Sequence, residues 1–112
     1  MTYTLKERKQ YNQDRQRTCD RLGITKNQYN WLRRQGEKFH KIYEQECNGE
    51  LNLSYDNGEY DNFMKPYYQA IDTYIKELGL FVYYQTDPRG ATIYVDKKPI
   101  PENNYNQASC IY

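Results

Sequence analysis

The shortage of aliphatic side chains, combined with an excess of tyrosine, is the feature that most constrains how this chain can fold. Leu, Ile, Val and Phe make up 19 of the 112 residues, whereas 14 residues are tyrosine. Such a composition is typical of disorder when the net charge is high, but the formal net charge here is only +1. Tyrosine rings bury large areas while their hydroxyls stay hydrated. We therefore expect a single folded domain over residues 1–112, with tyrosines around its core.

The charge of the chain is unevenly distributed. Residues 1–41 carry 11 Lys and Arg against 4 acids, a net of +7, and residues 42–112 carry 5 against 11, a net of −6. This split fits a basic binding face, an acidic partner or head-to-tail self-association. It equally fits two solvated halves that attract each other within the fold. A mimic of DNA would be acidic over most of its surface, so that class is disfavoured.

The sequence predicts a protein of a reducing cytosol. No apolar run approaches the roughly 20 residues of a membrane span, and residues 1–10 are polar, unlike a signal peptide. The three cysteines, Cys19, Cys47 and Cys110, are widely spaced, which favours reduced thiols over a disulfide framework.

Two helices are predicted in the basic half of the chain. Residues 4–21 contain no Gly or Pro and few apolar side chains, so this first helix is expected to be largely exposed, and residues 1–20 to dock loosely. Gly23 ends it. Thr25 and Gln28 have the spacing of a capping box, and the second helix is expected to run from there to Cys47, where Asn48-Gly49 stops it. Its core stripe is predicted to be Tyr29, Leu32, Gly36, Phe39, Tyr43 and Cys47.

The acidic half is predicted to form a third helix and a small sheet. Alternating Leu51, Leu53 and Tyr55 favour a short hairpin before a helix over 64–78, in which Pro66 occupies the first turn. One face of that helix is expected to hold Tyr67, Ile71, Tyr74, Ile75 and Leu78.

After Gly79 the period changes from helical to two. Strands are predicted at 80–85 and 91–95, joined by a type I turn at 86–90, and a last strand at 108–112. The fold class expected is α+β, with N-terminal helices, a third helix and then a small antiparallel sheet built on a C-terminal hairpin.

The sequence lacks the signals of an enzyme. The one histidine, His40, shares a helical face with Glu44, while Cys47 lies about 10.5 Å further along the helix, too far to ligate the same ion. No phosphate loop, nucleophile elbow or zinc motif is present. We expect no catalytic residue, metal or cofactor, and interpret His40 and Glu44 as a surface pair or part of a partner-binding site.

The predicted hairpin tip is a candidate ligand site. Arg89 on a tight turn next to Gly90, with backbone amides nearby, suits an anion. Gln85 and Asp87 adjoin it, and the flanking strands offer rings for stacking a base, those of Tyr83, Tyr84 and Tyr94. The alternative is that the turn is only a well-formed turn, because turn chemistry alone explains most of these residues.

The basic N-terminal half is a candidate nucleic-acid surface, with aromatic rings interleaved among its arginines. A solvated basic helix explains the same pattern. The candidate contacts are Arg15, Arg17, Arg21, Trp31, Arg33 and Arg34.

Several strings in the chain resemble a widespread group of small proteins from bacteriophage and prophage genomes. They are Asn30-Trp31-Leu32-Arg33-Arg34 with His40, Glu46-Cys47-Asn48-Gly49, Tyr84-Gln85-Thr86-Asp87-Pro88-Arg89-Gly90-Ala91 with Ile93-Tyr94, and Cys110-Ile111-Tyr112. The resemblance implies a phage origin and a place in host cytoplasm, and points to 40–49 and 85–90 as places for a site.

The resemblance to phage and prophage proteins implies a counter-defence function without catalysis. Such a protein binds and inhibits a host immune component, either a CRISPR-type complex or another defence protein, or sequesters a nucleotide signal. Two alternatives stay open: a small nucleic-acid-binding module that uses the basic half, and a phage structural or assembly protein that forms homo-oligomers.

Overall fold

The computed structural model describes residues 4–87 and 90–112, and confirms the expected α+β class. Three helices precede a three-stranded antiparallel sheet of order β1-β2-β3, and a short 3-10 helix precedes the last strand. The elements are α1 (Leu5–Leu22), α2 (Lys26–Cys47), α3 (Glu59–Glu77), β1 (Phe81–Asp87), β2 (Gly90–Asp96), the 3-10 helix (Glu102–Gln107) and β3 (Ser109–Cys110).

The boundary between α1 and α2 follows from local chemistry and confirms the prediction. Gly23 takes the left-handed conformation at φ 70° that ends α1. The predicted capping box is complete: the Thr25 hydroxyl accepts from the Gln28 amide at 3.1 Å, and the Gln28 side chain accepts from the Thr25 amide at 2.8 Å. The two bonds satisfy amides that a helix start leaves without partners.

The core stripe of α2 is partly as predicted. Four of its six expected members are buried, but Tyr43 is only half-buried and Cys47 is exposed. Ile42, three residues after Phe39, is buried as well. No residue of α2 after Ile42 is buried, so the core contact of this helix ends before its last turn, with Tyr43 half-buried at the edge.

The hairpin predicted between 51 and 62 is wrong. Residues 51–58, all of which are described, form an irregular segment and turns with no strand. The segment instead prepares the start of α3: the Ser54 amide donates to Glu59 Oε2 at 3.0 Å, and the Glu59 amide donates to Asn57 Oδ1 at 3.3 Å.

The third helix accordingly begins five residues before the predicted start. Pro66 lies inside it, not in its first turn. Because proline has no backbone N–H, the carbonyl of Asn62 lacks the hydrogen bond that residue 66 would normally donate. Asn62 and Pro66 are both exposed, so water can bind this carbonyl. The expected face is correct: Ile71 and Ile75 are buried, and the other three members are half-buried.

The sheet is built on the predicted hairpin. Its register pairs Tyr83 with Tyr94, Tyr84 with Ile93, and Asp87 with Gly90; Pro88 and Arg89 lie outside the described residues. The last strand is shorter than expected, at two residues. Backbone bonds between Ile93 and the chain end nevertheless prolong the pairing, with the Ile111 amide donating to the Ile93 carbonyl at 2.8 Å.

The core lies between α2, α3 and the inner face of the sheet, where Leu32, Ile71, Ile93 and Val95 are inaccessible to solvent. The first helix buries only Cys19 and Leu22, both near its C-terminal end, whereas Leu5 is exposed. This exposure is as expected of α1. The helix is fastened at one end, and its N-terminal turns contribute little to the core.

Candidate functional site

A groove lies between the end of α2, residues 60–72 of α3 and the inner face of β1. Its volume is about 1050 Å³, and apolar surface predominates in its lining. We call it the tyrosine groove. Its lining residues are Tyr43, Glu46, Tyr55, Tyr60, Asp61, Asn62, Met64, Lys65, Tyr68, Gln69, Asp72, Tyr84 and Thr86.

Strand alternation brings Tyr84 into one end of the groove. It is paired with Ile93, which is fully buried on the inner face, so the Tyr84 ring also points inward. The ring meets Tyr68 edge-on with 4.7 Å between centroids, and its hydroxyl donates to Asp72 Oδ1 at 2.6 Å. Burial, and then this hydrogen bond, raise the pKa of Tyr84 well above its usual value. Tyr84 is therefore a neutral donor fixed to α3.

A second tyrosine–carboxylate pair lies at the other end. The Tyr55 hydroxyl donates to Glu46 Oε2 at 2.8 Å, and the Tyr55 ring packs on Tyr60 with 4.6 Å between centroids. The hydrogen bond to Glu46 is the main cause that raises the pKa of Tyr55 to about 12. The other oxygen of Glu46, Oε1, is buried and accepts no hydrogen bond from any described residue.

The groove is negatively charged as well as aromatic. Three carboxylates, Glu46, Asp61 and Asp72, face one cation, Lys65. Burial raises the pKa of Tyr68 to about 12, so this ring too stays neutral at physiological pH. Such a lining offers acceptor oxygens and ring faces, a combination suited to cationic and aromatic groups and unfavourable to phosphate.

The predicted tip and helix sites are only partly brought together. Tyr84 lines the groove, but Gln85 and Tyr94 do not. Strand β1 places Asp87 at its end, while Arg89 lies outside the described residues.

His40 and Glu44 form a pair at 2.9 Å with about half of each side chain exposed. Neither residue lines the tyrosine groove. The His40 ring is nevertheless 6.4 Å from the ring of Tyr43, which does line the groove.

The outer face of the sheet does not present the free stacking platform that we expected. Tyr83 is stacked on Tyr105 of the 3-10 helix, with 5.0 Å between centroids and 13° between planes. Tyr94 meets the same Tyr105 ring edge-on at 5.0 Å. The Tyr105 ring of the 3-10 helix therefore packs against the rings of both strand tyrosines on this face.

Several of the predicted nucleic-acid contacts are used inside the fold. Arg21 donates to Ser109 Oγ at 2.8 Å and to the Gln107 carbonyl at 3.0 Å, and lies 3.4 Å from Asp96 Oδ2. Arg33 donates to the Ile111 carbonyl at 3.1 Å.

The remaining predicted contacts divide between internal and exposed positions. Arg15 donates to Asn30 Oδ1 at 3.2 Å, and Trp31 is half-buried and stacked on Tyr74 with 4.0 Å between centroids. Arg17 and Arg34 are exposed. The six candidates thus do not form one free basic surface.

Sequence reasoning missed most of the groove. Glu46 lies within the 40–49 segment to which the phage resemblance points, and this is the one sequence feature that indicates part of the groove. Asp61 falls before the predicted helix, and Tyr68 and Asp72 look like ordinary surface positions of that helix. Only the packing of α3 against β1 brings the three together.

Other kinds of site are not evident in the described ranges 4–87 and 90–112. Within them, no group of three or more His, Cys, Asp or Glu is placed to hold a metal ion, and no helix has the length and apolar character needed to cross a bilayer. Comparisons of the chain with protein-family models, curated proteins and solved structures found no match.

Proposed function

We propose that this chain is a non-enzymatic binding protein that engages a protein partner through the tyrosine groove. The observation that carries the proposal is the groove itself, about 1050 Å³ with five tyrosines among its lining residues. Tyrosine supplies a large amphipathic contact area and loses little conformational entropy when it is fixed, which is why it is enriched at protein interfaces.

The resemblance to phage and prophage proteins supports a biological setting for this binding. In that setting the chain is a phage-encoded counter-defence protein in host cytoplasm, and the partner is a host immune component such as a CRISPR-type complex or another defence protein. Binding would inhibit the partner by covering a surface that it needs, without chemistry.

Charge favours a protein partner over a nucleotide signal. A phosphate in the groove would approach Glu46, Asp61 and Asp72, and only Lys65 would attract it. The candidate stacking rings Tyr83 and Tyr94 are already packed on Tyr105. Nucleic-acid binding through the basic half is disfavoured for a related reason, since Arg21 and Arg33 are engaged within the fold.

A matched pair of variants tests the proposal. Asp61→Lys reverses a charge at an exposed groove position, and Asp20→Lys makes the same change on exposed α1, away from the groove. Tagged wild-type chain and both variants would be recovered from phage-infected host cells, and bound proteins identified by mass spectrometry.

We expect one host protein to be recovered with the wild type and with Asp20→Lys, and to be lost with Asp61→Lys. Recovery with all three chains, or recovery of nucleotides or RNA in place of a protein, would contradict binding of a protein through the groove. Circular dichroism of the purified variants would confirm that both remain folded.

A further inference from the structure

Glu46, at the wall of the tyrosine groove, has one carboxylate oxygen with a hydrogen-bond donor and one without. Oε2 accepts from the Tyr55 hydroxyl at 2.8 Å, whereas Oε1 is buried and has no hydrogen-bond partner among the described residues. Buried polar atoms in folded proteins nearly always have partners, so this oxygen points to a missing donor. Because Oε1 has almost no exposed surface, a ligand's donor reaches it only when a side chain of the groove wall shifts.

We propose that the missing donor is an arginine or lysine side chain, and that the tyrosine groove binds a basic segment of the partner. This inference rests on the proposed function and specifies the chemistry of the occupant. Its basis is the agreement between the free oxygen, the charge of the lining and the orientation of the tyrosine hydroxyls.

Two of the groove's hydroxyl donors are already used. The hydroxyl protons of Tyr55 and Tyr84 go to Glu46 and Asp72 within the chain. The charged groups of the lining are mainly acceptors, because the carboxylates of Glu46, Asp61 and Asp72 face one ammonium group, that of Lys65. A ligand rich in donors and positive in charge complements this set, and a guanidinium matches carboxylates with charge-assisted bonds.

The aromatic lining suits the same ligand. Tyr60 and Tyr68 are half-buried along the groove, and tyrosine faces attract guanidinium and ammonium groups. The groove's volume of about 1050 Å³ is slightly above the range of small-molecule pockets, which is roughly 300–1,000 Å³. This size favours a segment of several residues over a single free amine.

The experiment uses the full chain and two short peptides of opposite charge, hexaarginine amide and hexaglutamate. Binding would be measured by calorimetry, and the contact site by amide chemical-shift changes in the ¹⁵N-labelled protein. The variants are Glu46→Gln, which removes the charge at almost constant shape, and Tyr55→Phe, which frees Oε2 and keeps the carboxylate. Asp20→Lys serves as a charge control outside the groove.

Hexaarginine should bind and change the amide chemical shifts of Glu46, Tyr60 and Asp72, and hexaglutamate should not bind. Glu46→Gln should weaken hexaarginine by about tenfold or more, the effect of losing one hydrogen bond to a charged group. Tyr55→Phe and Asp20→Lys should stay within about threefold of the wild type, since neither removes a groove charge.

Equal affinity of the wild type and Glu46→Gln would overturn the assignment, as would shifts confined to acidic residues elsewhere. Concentration-dependent shifts of α1 and the groove without peptide would also overturn it, because the occupant would then be the basic helix of a second copy. If hexaarginine does not bind while Asp61→Lys still loses the host partner, the occupant's chemistry is wrong and the proposed function stands.

Discussion

The ring of Tyr112 lies so close to the α-carbon of Gly36 that a Cβ atom at this position would overlap the tyrosine. The C-terminal segment therefore packs on α2 only because residue 36 has no side chain. Arg33 supports the same contact, with its guanidinium carbon 5.3 Å from the Tyr112 ring centre. The core position of Gly36 follows from helical spacing, but the reason for a glycine there becomes visible only in three dimensions.

Gly36→Ala is expected to destabilise the fold by about 1–3 kcal/mol, because Tyr112 must move to make room for the added methyl group. Urea unfolding followed by circular dichroism measures the change. In a Tyr112→Gly background, which removes both the Cβ and the ring of residue 112, the same substitution should be neutral or stabilising, since alanine favours a helix by roughly 1 kcal/mol over glycine. An equal loss in both backgrounds would show that the two residues do not interact.

Arg21 fastens the end of α1 to the sheet, and its loss should separate the two. Arg21→Ala is expected to cost about 1 kcal/mol, less than the roughly 1.5–3 kcal/mol typical of hydrogen bonds to charged groups, because nearly half of the side chain is exposed. Arg17→Ala is the control. Its contact with Asp14 is long, at 3.8 Å, and largely exposed, so its effect should stay below about 0.5 kcal/mol. Similar losses for the two variants would contradict the fastening role of Arg21.

The groove tyrosines should titrate late and make stability fall at alkaline pH. The pKa of Tyr55 and of Tyr68 is raised to about 12, against about 10 in an unfolded chain. The unfolded chain therefore releases these protons first, and their contribution to stability, complete below pH 10, declines as the pH rises toward 12.

Absorbance at 295 nm during alkaline titration reports tyrosine ionisation and checks this prediction. A late-ionising fraction should be present, and Tyr84→Phe should reduce it, because the pKa of Tyr84 is raised by burial and by its bond to Asp72. A single transition centred near pH 10 for all tyrosines of the folded chain would contradict the packing of the groove.

His40→Gln should leave both stability and partner recovery unchanged. The His40–Glu44 pair is about half exposed and lies outside the groove lining, and exposed pairs of this kind contribute little, at most about 0.5 kcal/mol. Recovery of the host partner from infected cells, compared with that by the wild type, is the measurement. A loss comparable to that expected for Asp61→Lys would move the binding surface onto the exposed face of α2.

The sequence predicts this fold well wherever the determining interactions are local. The capping pair Thr25 and Gln28, the stop at Gly23 and the strand alternation around Tyr84 all act within a few residues. The start of α3 was misplaced because Pro66 suggested a first turn, whereas bonds from Asn57 and Glu59 begin the helix earlier.

The candidate site was much harder to predict, since it is assembled from distant parts of the chain. Tyr84 forms its hydrogen bond with Asp72 only because α3 packs against β1. Tyr55 forms its hydrogen bond with Glu46 only because the connecting segment folds back on α2. Arg21 was interpreted as a nucleic-acid contact, yet its hydrogen bond to Ser109 spans 88 positions. No local pattern in the sequence reports such a contact.

Photo-crosslinking from the groove tests the central claim most directly. A photoreactive p-benzoylphenylalanine would replace Gln69, an exposed residue of the groove lining, or Gln13, an exposed residue of α1 that lies outside it. Irradiation of infected host cells should give one covalent adduct with a host protein from position 69 and none from position 13. An adduct from position 13 alone would contradict a partner-binding groove.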